Sequence, residues 1–86
     1  MLSGGALILD VRTPAEFREG HAAGAMNIPL EALPVELKHL DKRKPIVTCC
    51  RSGARSASAT AQLLRNGFRA HNGGTWQHID NQRPGS

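Results

Sequence analysis

The residues with the clearest potential for chemistry are two adjacent cysteines, Cys49 and Cys50, within the stretch VTCCRSGARS at residues 47–56. An apolar run precedes the cysteines and a run of small residues typical of a helix follows, which predicts a strand, a tight loop and a helix. This arrangement favours anion binding, because backbone N–H groups point into the loop and the helix dipole adds partial positive charge. A cysteine at the mouth of such a loop has its thiolate stabilised, and the thiolate is the reactive form.

Two arginines in the same loop strengthen the prediction of a site for an anionic substrate. Arg51 and Arg55 supply fixed positive charge and paired donors for an oxyanion. We predict that Cys50 is the nucleophile, because it lies where the strand becomes the loop and Gly53 follows three residues later. We interpret Cys49 as a packing residue, because it continues the apolar strand and free cysteine is among the most buried residue types.

Length and composition predict one small domain with an aliphatic core. The chain has 86 residues, with two phenylalanines, one tryptophan and no tyrosine. We take it as a single domain over 1–86, with a lead-in at 1–5 and a polar tail at 81–86. Two adjacent cysteines cannot form a disulfide framework, so we expect free thiols and a reducing compartment. The start of the sequence lacks the basic and long apolar segments of a signal peptide, so we expect a cytoplasmic location.

The charge balance is compatible with a small anionic ligand. The formal net charge is +4, from eleven lysines and arginines against seven acidic residues. Aromatic residues are few and no nucleic-acid recognition motif occurs, so we expect no nucleic-acid partner. No apolar stretch is long enough to span a membrane. The histidines have no metal-ligand spacing with one another or with the cysteines, so we predict no metal site, and we interpret His21 as a structural residue of a loop.

The first half of the chain begins with a predicted strand whose apolar sequence indicates burial on both faces. Residues 6–11, ALILDV, form a nearly continuous apolar run of the kind found in parallel sheets. A capping-box signature then starts at Thr13, and the helix is expected to end at Gly20 with Phe17 facing the core. A second, brief strand is predicted over 26–28.

The second half continues the alternation of helices and strands, which predicts an α/β domain with a parallel sheet. In such a sheet the cysteine loop lies beyond the carboxyl end of a strand, where open α/β sheets place their sites. The predicted helix after this loop has two apolar stripes, one including Leu63 and the other Leu64. The predicted elements are a turn and then a helix from Pro34, a strand over 46–49, a helix over 54–66 stopped by Gly67, a strand over 68–72 broken by Gly73-Gly74, and a last helical turn capped by Thr75.

Four ordered motifs resemble those of single-domain rhodaneses, a family of sulfurtransferases. They are DVR at 10–12 with Glu-Phe at 16–17, GHAAGAMNIP at 20–29, CRSGARS at 50–56, and the pairs Gly67-Phe68 and Gly73-Gly74. The resemblance implies a three-layer α/β domain with a central, mostly parallel sheet of about four strands flanked by helices. The family usually has a strand and a helix before DVR, and only five residues precede Ala6, so we expect that N-terminal edge strand to be missing.

The resemblance also implies a mechanism without an organic cofactor or metal. Cys50 would be the nucleophile that accepts sulfane sulfur from an anionic donor such as thiosulfate and carries it as a persulfide. Cyanide, a thiol or a protein acceptor would then remove the sulfur. Asp10 and Arg12 would either assist the site or form a structural ion pair. We expect a monomer, and the implied substrate-binding residues are those of the loop: Arg51, Ser52, Gly53, Ala54 and Arg55.

Two other functions are compatible with the motifs. Dual-specificity phosphatases of the same fold have five residues between cysteine and arginine, and Cys49 has that spacing to Arg55. We favour sulfur transfer, because Gly53 lies three residues after Cys50 and Thr48 stands where the phosphatases usually have histidine. Many rhodanese-like domains are docking modules without the cysteine, and the presence of Cys50 argues against that reading, although a sulfur-relay role between proteins stays open.

Overall fold

The structure, a computed structural model, describes residues 6–81, with the backbone alone at 80 and 81. The lead-in at 1–5 and residues 82–86 of the polar tail lie outside the described residues. Two short 3-10 turns, Leu30–Ala32 and Leu37–His39, flank the second helix. The strands are β1 Leu7–Asp10, β2 Met26–Asn27, β3 Ile46–Cys50 and β4 Ala70–Thr75; the helices are α1 Pro14–Glu19, α2 Leu33–Glu36, α3 Ala54–Arg65 and α4 Trp76–Asn81.

The four described strands form one parallel sheet in the order β2-β1-β3-β4. Helices flank this sheet, so the predicted α/β class with a parallel sheet of about four strands is confirmed. In the register between β1 and β3, Asp10 lies beside Cys49. The carboxyl ends of the two central strands therefore meet at the edge where the cysteine loop begins.

The apolar core is divided between the two faces of the sheet. The larger cluster includes Leu9, Ile46 and Leu63, and Cys50 belongs to it. The smaller cluster consists of the buried residues Ile8, Ala22, Cys49 and Ile79. Successive side chains of a strand point to opposite faces, which is why the adjacent cysteines enter different clusters.

The capping box predicted at Thr13 is present at the start of α1. Its Oγ1 accepts a hydrogen bond from Glu16 N at 3.2 Å, and Glu16 Oε1 accepts one from Thr13 N at 3.0 Å. The prediction that Phe17 faces the core was wrong, because no residue of α1 is buried and Phe17 belongs to neither core cluster. Its ring instead stacks on His21, with the ring centroids 3.7 Å apart.

The leucine-rich segment before β3 is less regular than the predicted helix. The α-helical part is a single turn beginning at Leu33, with Pro34 in its first turn, where the missing N–H leaves no hydrogen bond unmade. Leu33 is fully buried, and Leu30, Leu37 and Leu40 pack against the larger core cluster. The helical leucine spacing therefore marks the buried side of this segment rather than a continuous helix.

Helix α3 follows its predicted bounds closely but buries only one of the two predicted stripes. It ends at Arg65, and Gly67 has a φ of 86°, the left-handed conformation expected of a helix stop. The stripe with Leu63 is buried, whereas Leu64 is 55% exposed. Ser56 and Ala59 complete the buried stripe, so small residues let the first turns of α3 lie close to the sheet.

The sequence predicts that the glycine pair breaks the last strand, and this prediction was wrong. Strand β4 continues through Gly73 to Thr75, with an irregularity in its register against β3 between Thr48 and Cys50. A Cβ on Gly73 would lie 2.8 Å from the Thr48 carbonyl oxygen and 2.4 Å from Ile79 Cδ1. Glycine is needed there because backbone and side chains approach closely, not because the strand ends.

The last helix agrees with the predicted cap. Helix α4 begins at Trp76, and His78 N donates a hydrogen bond to Thr75 Oγ1 at 3.2 Å. No helix within residues 6–81 combines the length and the apolar character needed to cross a membrane.

Candidate active site

The Cys50 sulfur lies at the centre of the loop that follows β3. Cys50 is the last residue of that strand and is fully buried. Gly53 N donates a hydrogen bond to its Sγ at 2.9 Å, and Ser56 N donates a second at 3.4 Å. Ser56 Oγ lies 3.5 Å from the same sulfur. The loop and the first turn of α3 therefore wrap around this atom with their donors facing it, as the strand-loop-helix pattern predicted.

These donors determine the acidity of the thiol. Burial raises the pKa of Cys50. Hydrogen bonds from the Ser56 hydroxyl and from the backbone N–H groups of Ser56, Ser52 and Gly53 lower the pKa, and their combined effect is larger than that of burial. The net result is a Cys50 pKa below the ordinary value of a cysteine. The arrangement thus favours the nucleophilic thiolate without a neighbouring histidine base.

Two side chains that hold the loop, Ser56 and Asn72, were not among the site residues predicted from sequence. Ser56 Oγ donates to Asn72 Oδ1 at 2.5 Å, and Asn72 Nδ2 donates to the Gly53 carbonyl oxygen at 3.2 Å. Gly74 N also donates to Asn72 Oδ1, at 2.9 Å. Asn72 therefore ties β4 to the last residue of the loop and to the first turn of α3. The available signal was the position of Asn72 in the strand predicted over 68–72, but the sequence alone did not place that strand beside the cysteine loop.

The Ser56 hydroxyl can serve both protonation states of the neighbouring thiol. When Cys50 is protonated, its S–H can donate to Ser56 Oγ while the hydroxyl proton is donated to Asn72. When Cys50 is ionised, the hydroxyl proton can turn toward the sulfur, and Gly74 N still satisfies the Asn72 oxygen. The hydrogen-bond set therefore accommodates the thiolate without leaving a buried group unpaired.

Cys49 has a contrasting environment on the opposite face of the sheet. It is fully buried in the cluster with Ile8, Ala22 and Ile79. Burial, together with the nearby Asp10 carboxylate, raises the pKa of Cys49 to about 12. A thiol with that pKa is almost entirely protonated at neutral pH, which fits a packing role.

Asp10 and Arg12 form a buried ion pair behind the loop. The Arg12 guanidinium donates from Nη2 to Asp10 Oδ2 at 2.8 Å and from Nε to Oδ1 at 3.0 Å. Nη2 also donates to the Gly20 carbonyl oxygen at 2.6 Å, and the guanidinium lies 5.2 Å from the centroid of the Trp76 ring. Of the two roles considered for this pair, the structure favours the structural one, because these contacts occupy both side chains.

Arg55 is held by a second ion pair that links the loop to α1. Its Nη1 and Nη2 donate to Glu16 Oε1 and Oε2 at 2.8 and 3.0 Å. Hydrogen bonds from Arg55, and then from the backbone N–H and hydroxyl of Thr13, lower the pKa of Glu16 to about 2. Two donors of Arg55 are thus engaged, so its assignment as a substrate-binding residue stays a prediction.

The other predicted loop residues differ in exposure. Arg51 and Ser52 are exposed, and Ala54, also exposed, is the first residue of α3. Gly53 precedes the helix with a φ of 100°, a left-handed conformation that favours glycine. Arg51 has no ion-pair or hydrogen-bond partner among residues 6–81 and is therefore the available cation of the loop.

His21 lies outside the loop and has a local structural contact. Its Nδ1 donates to the Phe17 carbonyl oxygen at 2.7 Å, close to the end of α1. This agrees with its interpretation as a structural residue. Within the described chain, no group of three or more histidine, cysteine, aspartate or glutamate side chains could hold a metal ion.

Comparison with known proteins identifies the family. The family model described as a rhodanese-like domain matches residues 1–76. A sulfurtransferase of Allochromatium vinosum is 39% identical over 62 residues, which cover 72% of this chain and 58% of that protein. The chloroplastic thiosulfate sulfurtransferase 16 of Arabidopsis thaliana is 39% identical over 80 residues, covering 79% of this chain and 67% of the relative. A tRNA uridine(34) hydroxylase of Yersinia enterocolitica is 38% identical over 69 residues, covering 73% of this chain but 20% of its own length.

A solved structure gives the same result for the fold. A rhodanese with anions from E. coli aligns with a TM-score of 0.76 and 28% identity, covering 92% of this chain and 94% of that one. The chain spans between about half and two thirds of the length of the first curated relatives that it matches. The motifs, the parallel sheet and these similarities agree, and the chain belongs to the rhodanese-like domain family, which includes sulfurtransferases.

Proposed function

We propose that the protein is a sulfurtransferase that carries sulfane sulfur as a persulfide on Cys50. The observation that carries this proposal is the convergence of the Gly53 and Ser56 N–H groups on Sγ, at 2.9 and 3.4 Å. In the first step the Cys50 thiolate attacks the outer sulfur of thiosulfate. A new S–S bond forms, the bond within thiosulfate breaks, and sulfite leaves with its electron pair.

The second step returns Cys50 to the thiolate. Cyanide or an acceptor thiolate attacks the outer sulfur of the persulfide, and Cys50 leaves with the electron pair of the broken S–S bond. The donors that lower the Cys50 pKa also favour this step, because a more acidic thiol is a better leaving group. Oriented N–H groups therefore assist both halves of the reaction by stabilising negative charge on sulfur.

An anionic donor such as thiosulfate is supported by charge and by similarity. The net charge of +4 and the unpaired Arg51 both attract anions to the loop. The Arabidopsis relative is named a thiosulfate sulfurtransferase, which supports the same donor for this chain. Thiosulfate is accordingly the donor for the first experiment.

The test is the intact mass of the protein after incubation with thiosulfate and then with cyanide. Wild type is expected to gain one sulfur, about 32 Da for a persulfide, and to lose it with cyanide. Cys50→Ser is expected to gain none, while Cys49→Ala, the matched change at the neighbouring cysteine, is expected to behave as wild type. An adduct that persists in Cys50→Ser would overturn the assignment of the nucleophile.

A second candidate function is a sulfur-relay or docking module within a larger protein. It is supported by the hydroxylase match, in which the similar segment is only 20% of that protein. Cys50→Ser separates docking from sulfur transfer, because partner binding would survive this change, whereas sulfur transfer to a small acceptor or to a partner protein would not. A phosphatase acting through Cys49 is disfavoured, because this thiol is buried on the other face of the sheet and has a pKa of about 12.

A further inference from the structure

A cavity of about 290 Å³ borders the catalytic loop on the side of α1 and α4. Arg51 contributes to it from the loop, directly after Cys50 in the chain. Glu16 and Glu19 contribute from α1, and Trp76 and Gln77 from α4. A molecule bound there would lie next to the loop that surrounds the reactive sulfur.

Two of the charged side chains at this cavity are already neutralised by partners. Arg12 is engaged by Asp10 through two donor nitrogens, and this pair is buried. Glu16 is engaged by both terminal nitrogens of Arg55. Neither side chain is available as an uncompensated charge for a ligand.

The remaining two charges, Arg51 and Glu19, are of opposite sign and exposed. Within residues 6–81 neither has an ion-pair partner. The Gln77 amide adds one donor and one acceptor group, and the half-buried Trp76 ring adds apolar surface. A dianion would meet Glu19 unfavourably, whereas a ligand with one positive and one negative group would satisfy both charges.

We propose that this cavity binds the sulfur acceptor and selects small thiols that carry both an ammonium and a carboxylate group, the α-amino-acid thiols. Arg51 binds the carboxylate and Glu19 binds the ammonium group. This inference rests on the proposed sulfur-transfer function and adds its acceptor class.

The transfer step balances with the acceptor as the only added reactant. The acceptor loses its thiol proton to water, and its thiolate attacks the outer sulfur of the Cys50 persulfide. The bond between Cys50 Sγ and the outer sulfur breaks, and Cys50 leaves as the thiolate. The outer sulfur came from thiosulfate without a proton and carries its negative charge with it, so the product is the persulfide anion of the acceptor.

The experiment measures single-turnover sulfur transfer from protein preloaded with thiosulfate and freed of excess donor. Four acceptors are compared: cysteine, with both charged groups; cysteamine, with the ammonium group only; N-acetylcysteine, with the carboxylate only; and 2-mercaptoethanol, with neither. Each acceptor is compared between wild type and variant, so differences in intrinsic thiol reactivity cancel. Preloading removes effects on the binding of thiosulfate.

Each variant is expected to affect one pair of acceptors. Glu19→Gln lowers the rate about 1.5-fold to fivefold for cysteine and cysteamine, the range of one solvent-exposed ion pair, and leaves the other two unchanged. Arg51→Gln lowers the ratio of the cysteine rate to the cysteamine rate by a similar factor. Glu31→Gln removes an exposed negative charge that does not line this cavity, and the transfer rates with all four acceptors are expected to equal those of wild type.

Cyanide as a fifth acceptor separates this inference from the proposed function. If cyanide removes no sulfur from preloaded wild type, the sulfur-transfer function itself fails. If cyanide works but Glu19→Gln changes all four thiols equally, or none of them, the acceptor site is wrong and the sulfurtransferase assignment stands.

Discussion

Cys49 and Cys50 are neighbours in the chain, are both fully buried, and have opposite acid-base properties. Burial raises the pKa of each thiol. The difference arises from the donors: Cys50 receives N–H groups of Gly53 and Ser56, whereas Cys49 packs in the cluster with Ile79. We therefore expect the reactivity of the two thiols to depend on the donors around each sulfur, and not on how deeply each thiol is buried.

The prediction with the largest expected effect compares variants in which each cysteine is replaced in turn. Cys50→Ser is expected to reduce sulfur transfer to background, because a serine hydroxyl is not ionised at neutral pH and no other described thiol faces the loop. Cys49→Ala is expected to keep activity within about twofold and to lower the free energy of unfolding by about 1 kcal/mol. Steady-state assays measure the activity of each variant, and urea unfolding measures its stability. Loss of activity in Cys49→Ala with unchanged folding would show that the inert thiol takes part.

A change on the Cys49 face should affect stability and spare reactivity. Ile79→Ala removes a buried side chain from that cluster and is expected to lower the free energy of unfolding by about 2–4 kcal/mol. The pH dependence of Cys50 alkylation is expected to stay within error of wild type, because Ile79 and Cys50 belong to different core clusters. A shift of that profile would mean that the two faces are coupled. Leu64→Ala, at an exposed position, is the control for stability.

A change on the Cys50 face should have the converse effect. Ser56→Ala removes the hydroxyl that lowers the Cys50 pKa and is expected to raise this pKa toward the ordinary value. Alkylation of Cys50 at neutral pH is expected to slow about tenfold, since a hydrogen bond to a charged group contributes about 1.5 kcal/mol. Ser58→Ala, an exposed serine of the same helix, should not change the rate. An unchanged rate in Ser56→Ala would assign the acidity to the backbone donors alone.

The smallest expected effect concerns the ion pair that ties the loop to α1. Glu16 has a folded-state pKa of about 2 against an ordinary value of 4.5, so it stabilises the protein above pH 4.5, and this contribution is lost as pH falls toward 2. Glu16→Gln is therefore expected to be less stable than wild type at pH 6 and to differ less at pH 3. Urea midpoints at the two pH values measure this. An equal difference at both would show that the carboxylate charge is not involved.

Local signals in the sequence were sufficient to predict the elements around Cys50. The capping box at Thr13, the helix stop at Gly67 and the strand-loop-helix order around Cys50 each depend on a few adjacent residues. Such features follow from backbone conformation and hydrogen bonding within one turn, so a single sequence specifies them.

Contacts between distant residues could not be predicted in the same way. Asn72 meets Ser56 across 16 positions, and Arg55 meets Glu16 across 39, so both depend on how β4 and α1 pack beside the loop. The misreading of Gly73 has the same origin, because its close approach to Ile79 exists only in the folded chain. The sequence thus indicates the candidate nucleophile, Cys50, and its loop, while the supporting side chains can be identified only from the tertiary structure.

The most direct test of the central claim is the rate of iodoacetamide alkylation of each cysteine in the native protein as a function of pH, resolved by peptide mass spectrometry. The predicted result is a Cys50 profile with its midpoint below the ordinary cysteine pKa of 9.0, and no alkylation of Cys49 at neutral pH. A Cys50 midpoint at or above that value would contradict the account, as would alkylation of Cys49 at a comparable rate.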